Sequence, residues 1–151
     1  MSATALPPGG GRTFGPGIHA KVEFGESDDF AVFESVLPPD WAGPPPHLHR
    51  AYDEAFYVID GSVAFTLDGR TTDCPAGSFV FVPRGAAHGF ANPVPAPAKI
   101  LVIASPGAIR LVESIYQLME QGGPPDLKAM AALYADHQSE ILAPAGDPVS
   151  T

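Results

Sequence analysis

Gly43-Pro-Pro-Pro-His47-Leu-His49-Arg-Ala-Tyr-Asp-Glu54-Ala-Phe-Tyr-Val-Ile-Asp-Gly61 is the stretch whose reading decides the fold of this chain. In an extended strand the side chains alternate every two residues, so His47 and His49 point to the same face. The same parity puts Glu54, Phe56 and Val58 on one face. A carboxylate in that company is costly to bury unless it is paired or bound to a cation. A second stretch, Gly77-Ser-Phe-Val-Phe-Val-Pro83-Arg-Gly85-Ala-Ala-His88-Gly-Phe-Ala-Asn92, adds a third histidine after a turn shaped by Pro83 and Gly85. The ligand set His47, His49, Glu54 and His88 suits one divalent transition metal ion, whether Fe, Mn, Ni, Cu or Zn. It leaves open positions on an ion that prefers five or six ligands.

Outward from these stretches, residues 18–105 read as short runs rich in Val, Phe, Tyr and Thr, divided by Gly, Pro and Asp. Candidate strands are 19–24, 30–37, 46–50, 54–60, 62–67, 79–82, 87–91 and 98–104. Asp68-Gly69 suits a type I′ hairpin turn, since both residues tolerate positive φ. Eighteen prolines disfavour long helices and central strands. The pattern predicts an all-β, double-sheet jelly-roll barrel. After Ser105-Pro106-Gly107, Leu111, Ile115, Leu118 and Met119 recur at helical spacing, predicting a helix over 108–121 that Gly122-Gly123-Pro124-Pro125 ends. Asp126 can cap a second helix over 126–138 with Leu127, Met130, Leu133, Tyr134 and His137 as its apolar stripe. The organisation expected is a flexible tail over 1–17, a barrel over 18–105, a helical extension over 106–143 and a flexible tail over 144–151.

The two stretches resemble the paired signatures of the cupin superfamily. The first signature is matched from His47 to Gly61, and the second at Gly77, Pro83, Gly85, His88 and Asn92. The resemblance covers roughly 30–105 and implies a double-stranded β-helix carrying one metal on His47, His49, Glu54 and His88. One departure is visible: three residues separate Gly43 from His47, where the family pattern usually has five, so Pro44-Pro45-Pro46 must build that turn differently. Asp53 to Val58 also looks like the corresponding run of quercetinase-type dioxygenases.

Composition narrows the function. A chain of 151 residues supports one well-buried core. A net charge of −9 with no basic cluster argues against a phosphate-backbone partner. Cys74 is the single cysteine, which fits a reducing compartment. No apolar run approaches the ~20 residues that span a bilayer, and Met1 to Gly11 lacks the apolar run of a signal peptide. A cytoplasmic protein with a small-molecule substrate, and neither nucleic acid nor membrane as partner, is expected.

The resemblance implies a metal-dependent dioxygenase acting on a small aromatic or enolisable substrate, with Glu54 also serving as a general base. The alternatives are a redox-neutral cyclase, isomerase or lyase using the metal as a Lewis acid, and a non-catalytic small-molecule-binding cupin. Substrate contacts are expected from Tyr52, Phe56, Phe65, Phe79, Phe81 and Phe90, since core and ligand pocket share one interior in a small barrel. Ala55, Tyr57 and Ile59, of opposite parity to Glu54, offer an apolar strip for a homodimer.

Overall fold

The structure, a computed structural model, describes residues 3–122 and 126–142. Ten strands run before the helices: β1 (Arg12–Gly15), β2 (Ile18–Val22), β3 (Ala31–Leu37), β4 (His47–His49), β5 (Glu54–Asp60), β6 (Ser62–Leu67), β7 (Arg70–Pro75), β8 (Phe79–Val82), β9 (His88–Ala91) and β10 (Ala98–Ala104). Two helices, α1 (Pro106–Glu120) and α2 (Leu127–Asp136), and a last strand, β11 (Ser139–Ile141), follow. A six-stranded sheet has the order β1-β2-β3-β10-β5-β8 and a five-stranded sheet the order β11-β4-β9-β6-β7, with every pairing antiparallel. Neighbours distant in sequence, such as β3 and β10, lie side by side, as a jelly roll requires.

Alternation in the sequence becomes the division between inside and outside. Along β3, Ala31, Phe33, Ser35 and Leu37 are buried while the residues between them are half-exposed. On β10 the buried set is Ala98, Ile100, Val102 and Ala104. Phe56, Val58, Val63 and Phe65 complete a core between the sheets. Phe56, Phe65 and Phe90 pack with centroids 5.2 to 5.8 Å apart, within the range favoured by aromatic pairs. At the base of the barrel Asn92 is fully buried, and its Nδ2 donates to the carbonyls of Leu37, Pro38 and Ala96.

The helices carry their own signals. Pro106 opens α1, where its missing N–H would have no partner in any case. Asp126 caps α2 by accepting from the Lys128 N–H at 3.1 Å. Leu111, Met130 and Tyr134 form a small second core between the two helices.

Three expectations need correction. Arg12–Gly15, assigned to a tail, is strand β1, and Arg12 pairs there with Glu23 and Glu113. Strand β7 is absent from the candidate strands because Arg70–Pro75 is exposed and polar and so has no hydrophobic alternation to read. The helical extension ends in strand β11, entered through Gln138 at φ 53°. Residues 123–125, expected to close the first helix, and 144–151, expected as a tail, lie outside the described residues.

Candidate metal centre and its cavity

Three strands bring four candidate ligands, three histidines and a glutamate, to a point. β4 presents His47 and His49, both buried, and β9 presents His88, directly opposite His47 in register. β5, from the other sheet, brings Glu54. Their candidate ligand atoms lie within 4.8 Å of one another. Glu54 Oε2 stands 3.2 Å from His49 Nε2 and 3.1 Å from His88 Nε2. Two donors each ~2.1 Å from one ion, at right angles, would be about 3.0 Å apart, so the set is already at ligand spacing.

The opposite ring nitrogens fix which tautomers are available. His47 Nδ1 donates to the Pro45 carbonyl at 2.8 Å and His88 Nδ1 to the Ala86 carbonyl at 3.1 Å. A carbonyl only accepts, so the proton of the neutral ring sits on Nδ1 and Nε2 keeps its lone pair for a metal. The Pro44-Pro45-Pro46 turn, shorter than the family pattern, thus serves the site by aiming the Pro45 carbonyl at His47.

Electrostatics fit the same reading. Burial, with help from the neighbouring imidazoles, lowers His47 to about 4, so it stays neutral and able to bind metal in any mildly acidic medium. Burial alone would raise Glu54, but the imidazoles of His49 and His88, whose Nε2 atoms face it across the place a cation would occupy, outweigh that and hold the carboxylate at about 2. The carboxylate is therefore in the ionised form that ligates a cation.

Above the ligands lies a cavity of about 300 Å³. Its walls come from both sheets (Ile18, Phe33, Leu37, Phe56, Phe90, Ile100, Val102), from Trp41, and from the two helices (Leu111, Val112, Ile115, Met119, Met130). No Lys or Arg is among the described lining residues. The hydroxyls that reach it belong to Ser35, Tyr52, Tyr116 and Tyr134. Burial, and then the charge of Glu54, raise both Tyr52 and Tyr134, which keeps them protonated as hydrogen-bond donors.

Of the residues expected to touch substrate, Tyr52, Phe56 and Phe90 line the cavity. Phe65 is buried beneath them in the barrel core. Phe79 and Phe81 are corrected: they are 62% and 57% exposed on the outer face. Their partners across the sheet are Tyr57 and Ala55, and directly opposed residues share a face. Met130 and Tyr134, expected only as part of the apolar stripe of the second helix, line the cavity, and Ser139, given no role by the sequence, lies at the site. Tyr134 packs edge-on to His47 at 5.4 Å, and Ser139 Oγ lies 2.6 Å from His49 Nδ1. Nothing local in the sequence marks either as a neighbour of residues so far upstream.

Comparison with known proteins agrees with this architecture. The cupin-domain family model matches residues 33–104. A polyketide cyclase from Streptomyces resistomycificus superposes with a TM-score of 0.60 at 25% identity, covering 70% of this chain and 80% of that one. A sugar phosphate isomerase of the cupin superfamily from Silicibacter pomeroyi superposes with a TM-score of 0.50 at 25% identity, covering 59% of each chain. An uncharacterized Streptomyces coelicolor protein is 39% identical over 57 residues, which are 38% of this chain and only 53% of that relative. The fold is the cupin fold, two antiparallel sheets with two helices after them.

Proposed function

We propose that this cupin-fold chain is a metal-dependent enzyme that performs redox-neutral chemistry, a cyclisation, isomerisation or elimination, on a small, apolar, enolisable substrate. The observation that carries the reading is the cavity: about 300 Å³ of almost wholly apolar wall that ends on His47, His49 and Glu54. Likeness to a polyketide cyclase supports the choice of substrate class. The absence of Lys and Arg among the described lining residues argues against a sugar phosphate, because a phosphate dianion needs cationic donors.

The four ligands fit one divalent ion on donor chemistry, spacing and tautomer. Bound there, the ion would act as a Lewis acid that polarises a carbonyl or steadies an enolate oxygen. The chain's own residues do the rest. Apolar walls from α1 and α2 exclude water and press a planar substrate toward the ligands. Tyr52 and Tyr134, kept protonated, donate hydrogen bonds to substrate oxygens. Glu54 balances the charge of the cation and remains a ligand.

The dioxygenase alternative shares the ligands and the apolar wall and differs in needing oxygen. The deciding experiment loads the purified chain singly with Zn, Ni, Mn, Fe or Cu and incubates each form with poly-β-ketone mimics and flavonols, with and without air. Anaerobic turnover to a product of unchanged mass, or of mass lowered by water alone, is the expected result. Turnover that stops without oxygen, with oxygen atoms in the product, would replace this reading with the dioxygenase one.

A further inference from the structure

Strand β4 carries two of the four ligands yet has little of its own to hold it. It meets β9 in register at one pair, His47 with His88. Its longer pairing is with β11, where Ser139 faces His49, Glu140 faces Leu48 and Ile141 faces His47. Two flanking backbone bonds extend that pairing, Arg50 N–H to the Gln138 carbonyl at 2.9 Å and Leu142 N–H to the Pro46 carbonyl at 2.8 Å. The C-terminal strand therefore forms one side of the candidate metal centre.

Within this pairing Ser139 is 5% exposed and belongs to a directed chain of hydrogen bonds. Its Oγ is 2.6 Å from His49 Nδ1 and 3.2 Å from the His137 carbonyl. A hydroxyl has one hydrogen and a carbonyl only accepts, so the Ser139 hydrogen goes to His137. The lone pair left on Oγ then accepts from His49 Nδ1–H. That is the tautomer in which His49 Nε2 faces Glu54 with its lone pair free. His47 and His88 obtain the same tautomer from backbone carbonyls of their own loops. His49 instead obtains it from side chains, Ser139 Oγ at 2.6 Å from 90 residues away and, at the longer distance of 3.1 Å, the Tyr52 hydroxyl. Tyr52 stacks on the same imidazole, with ring centroids 4.5 Å apart at 19°, and limits its rotation.

We infer that Ser139 is a positioning residue for the metal centre, selecting the ligating tautomer of His49, and that the C-terminal strand β11 thereby sets the affinity for the ion. The inference rests on the reading of His47, His49, Glu54 and His88 as a metal site. The structural partner of a ligating histidine commonly changes metal affinity by about 10–100-fold when removed.

The test is Zn(II) affinity, measured by competition with a chromophoric chelator on the full-length protein, which needs no substrate. Ser139→Ala is expected to bind Zn(II) roughly 10–100-fold more weakly, while its metal-free form melts at the parent's temperature. Ser139→Thr, which keeps the hydroxyl, is expected to retain most of the parent's affinity. Affinity of Ser139→Ala within about twofold of the parent would overturn the inference. So would equal losses in Ser139→Thr and Ser139→Ala, because the loss would then belong to packing. If the alanine variant fails to fold, Ser139→Cys carries the same outcomes, since a thiol nearly preserves the volume but accepts poorly. A parent chain that binds no Zn(II), Ni(II) or Mn(II) would instead sink the metal reading itself.

Discussion

At the scale of single residues, the four candidate ligands were legible from strand parity together with a family resemblance. Strand parity pairs His47 with His49 and sets Glu54 on the apolar face, and the resemblance to the second cupin signature, from Gly77 to Asn92, joins His88 to them as a chemically compatible donor. Asn92 belongs to the second signature, and the structure shows what it does there: its Nδ2 donates to the carbonyls of Leu37, Pro38 and Ala96. Asn92→Ala should therefore lower stability by about 2–3 kcal/mol, seen as a shift in the urea midpoint. Ser139, and the place of the stripe residue Tyr134 beside His47, were not legible, because these contacts join segments far apart in the chain. Phe79 and Phe81 were misplaced because composition says that a phenylalanine is buried but only register says where. Acid sensitivity also belongs to this scale. His47 falls from an ordinary 6.5 to about 4, so the unfolded chain binds the extra proton between those values. Glu54 falls from 4.5 to about 2, with the same consequence lower down. Stability of the metal-free protein should be full above pH 6.5. It should decline through His47 as pH falls toward 4, and through Glu54 from 4.5 toward 2. Melting temperatures at pH 7.5 and 5 should differ by on the order of 5 °C, and the gap should narrow in His47→Gln. An unchanged gap would remove His47 as its source.

At the scale of elements, strong alternation gave β3, β5, β6 and β10 almost to the residue, and helical spacing gave both helices. Polar β7 and terminal β11 carry no such pattern, being held by pairing with β6 and β4 rather than by an apolar face of their own. The turn before β4 is the place where the chain departs from the family pattern, and Gly43 makes the departure workable. It sits at φ 79°, and a Cβ built on it would lie 1.7 Å from the Phe90 carbonyl oxygen. That oxygen belongs to β9 backbone, which also carries His88, so the clash has no flexible outlet. Gly43→Ala should cost at least about 3 kcal/mol and loosen the metal site. Gly77→Ala is the control: its φ is 91°, but a Cβ there would meet nothing within 4 Å. That variant should lose only the conformational part, about 1–2 kcal/mol, with Zn(II) affinity intact. Equal losses in the two variants would show that close approach of Gly43 to β9 contributes nothing.

At the scale of the whole molecule, the inner face of the six-stranded sheet is accounted for by the core and the cavity, and its outer face is not. Tyr57 and Phe79 are paired there, Phe81 lies beside Ala55, and Ile103 stands next to them on β10. Tyr57, Phe79, Phe81 and Ile103 are between 38% and 62% exposed, and among the described residues β8 ends the sheet. The strip expected from Ala55, Tyr57 and Ile59 is thus wider than parity on β5 alone suggested, because β8 contributes its two outward phenylalanines. A contiguous apolar face beside a free strand edge is poorly suited to remain in water. A twofold axis beside β8 would cover the phenylalanines of both copies with one self-complementary contact. Each phenylalanine buried in this way is worth about 2 kcal/mol, enough for the pair to decide the association state. Light scattering of the parent at micromolar concentration should give twice the 15.7 kDa of one chain. Phe79→Ser combined with Phe81→Ser should give the monomer while Zn(II) affinity stays at the parent's value, since neither side chain lines the cavity. A parent that remains monomeric at hundreds of micromolar would show that this face meets no second copy. A double variant that stays dimeric would move the interface elsewhere on the barrel.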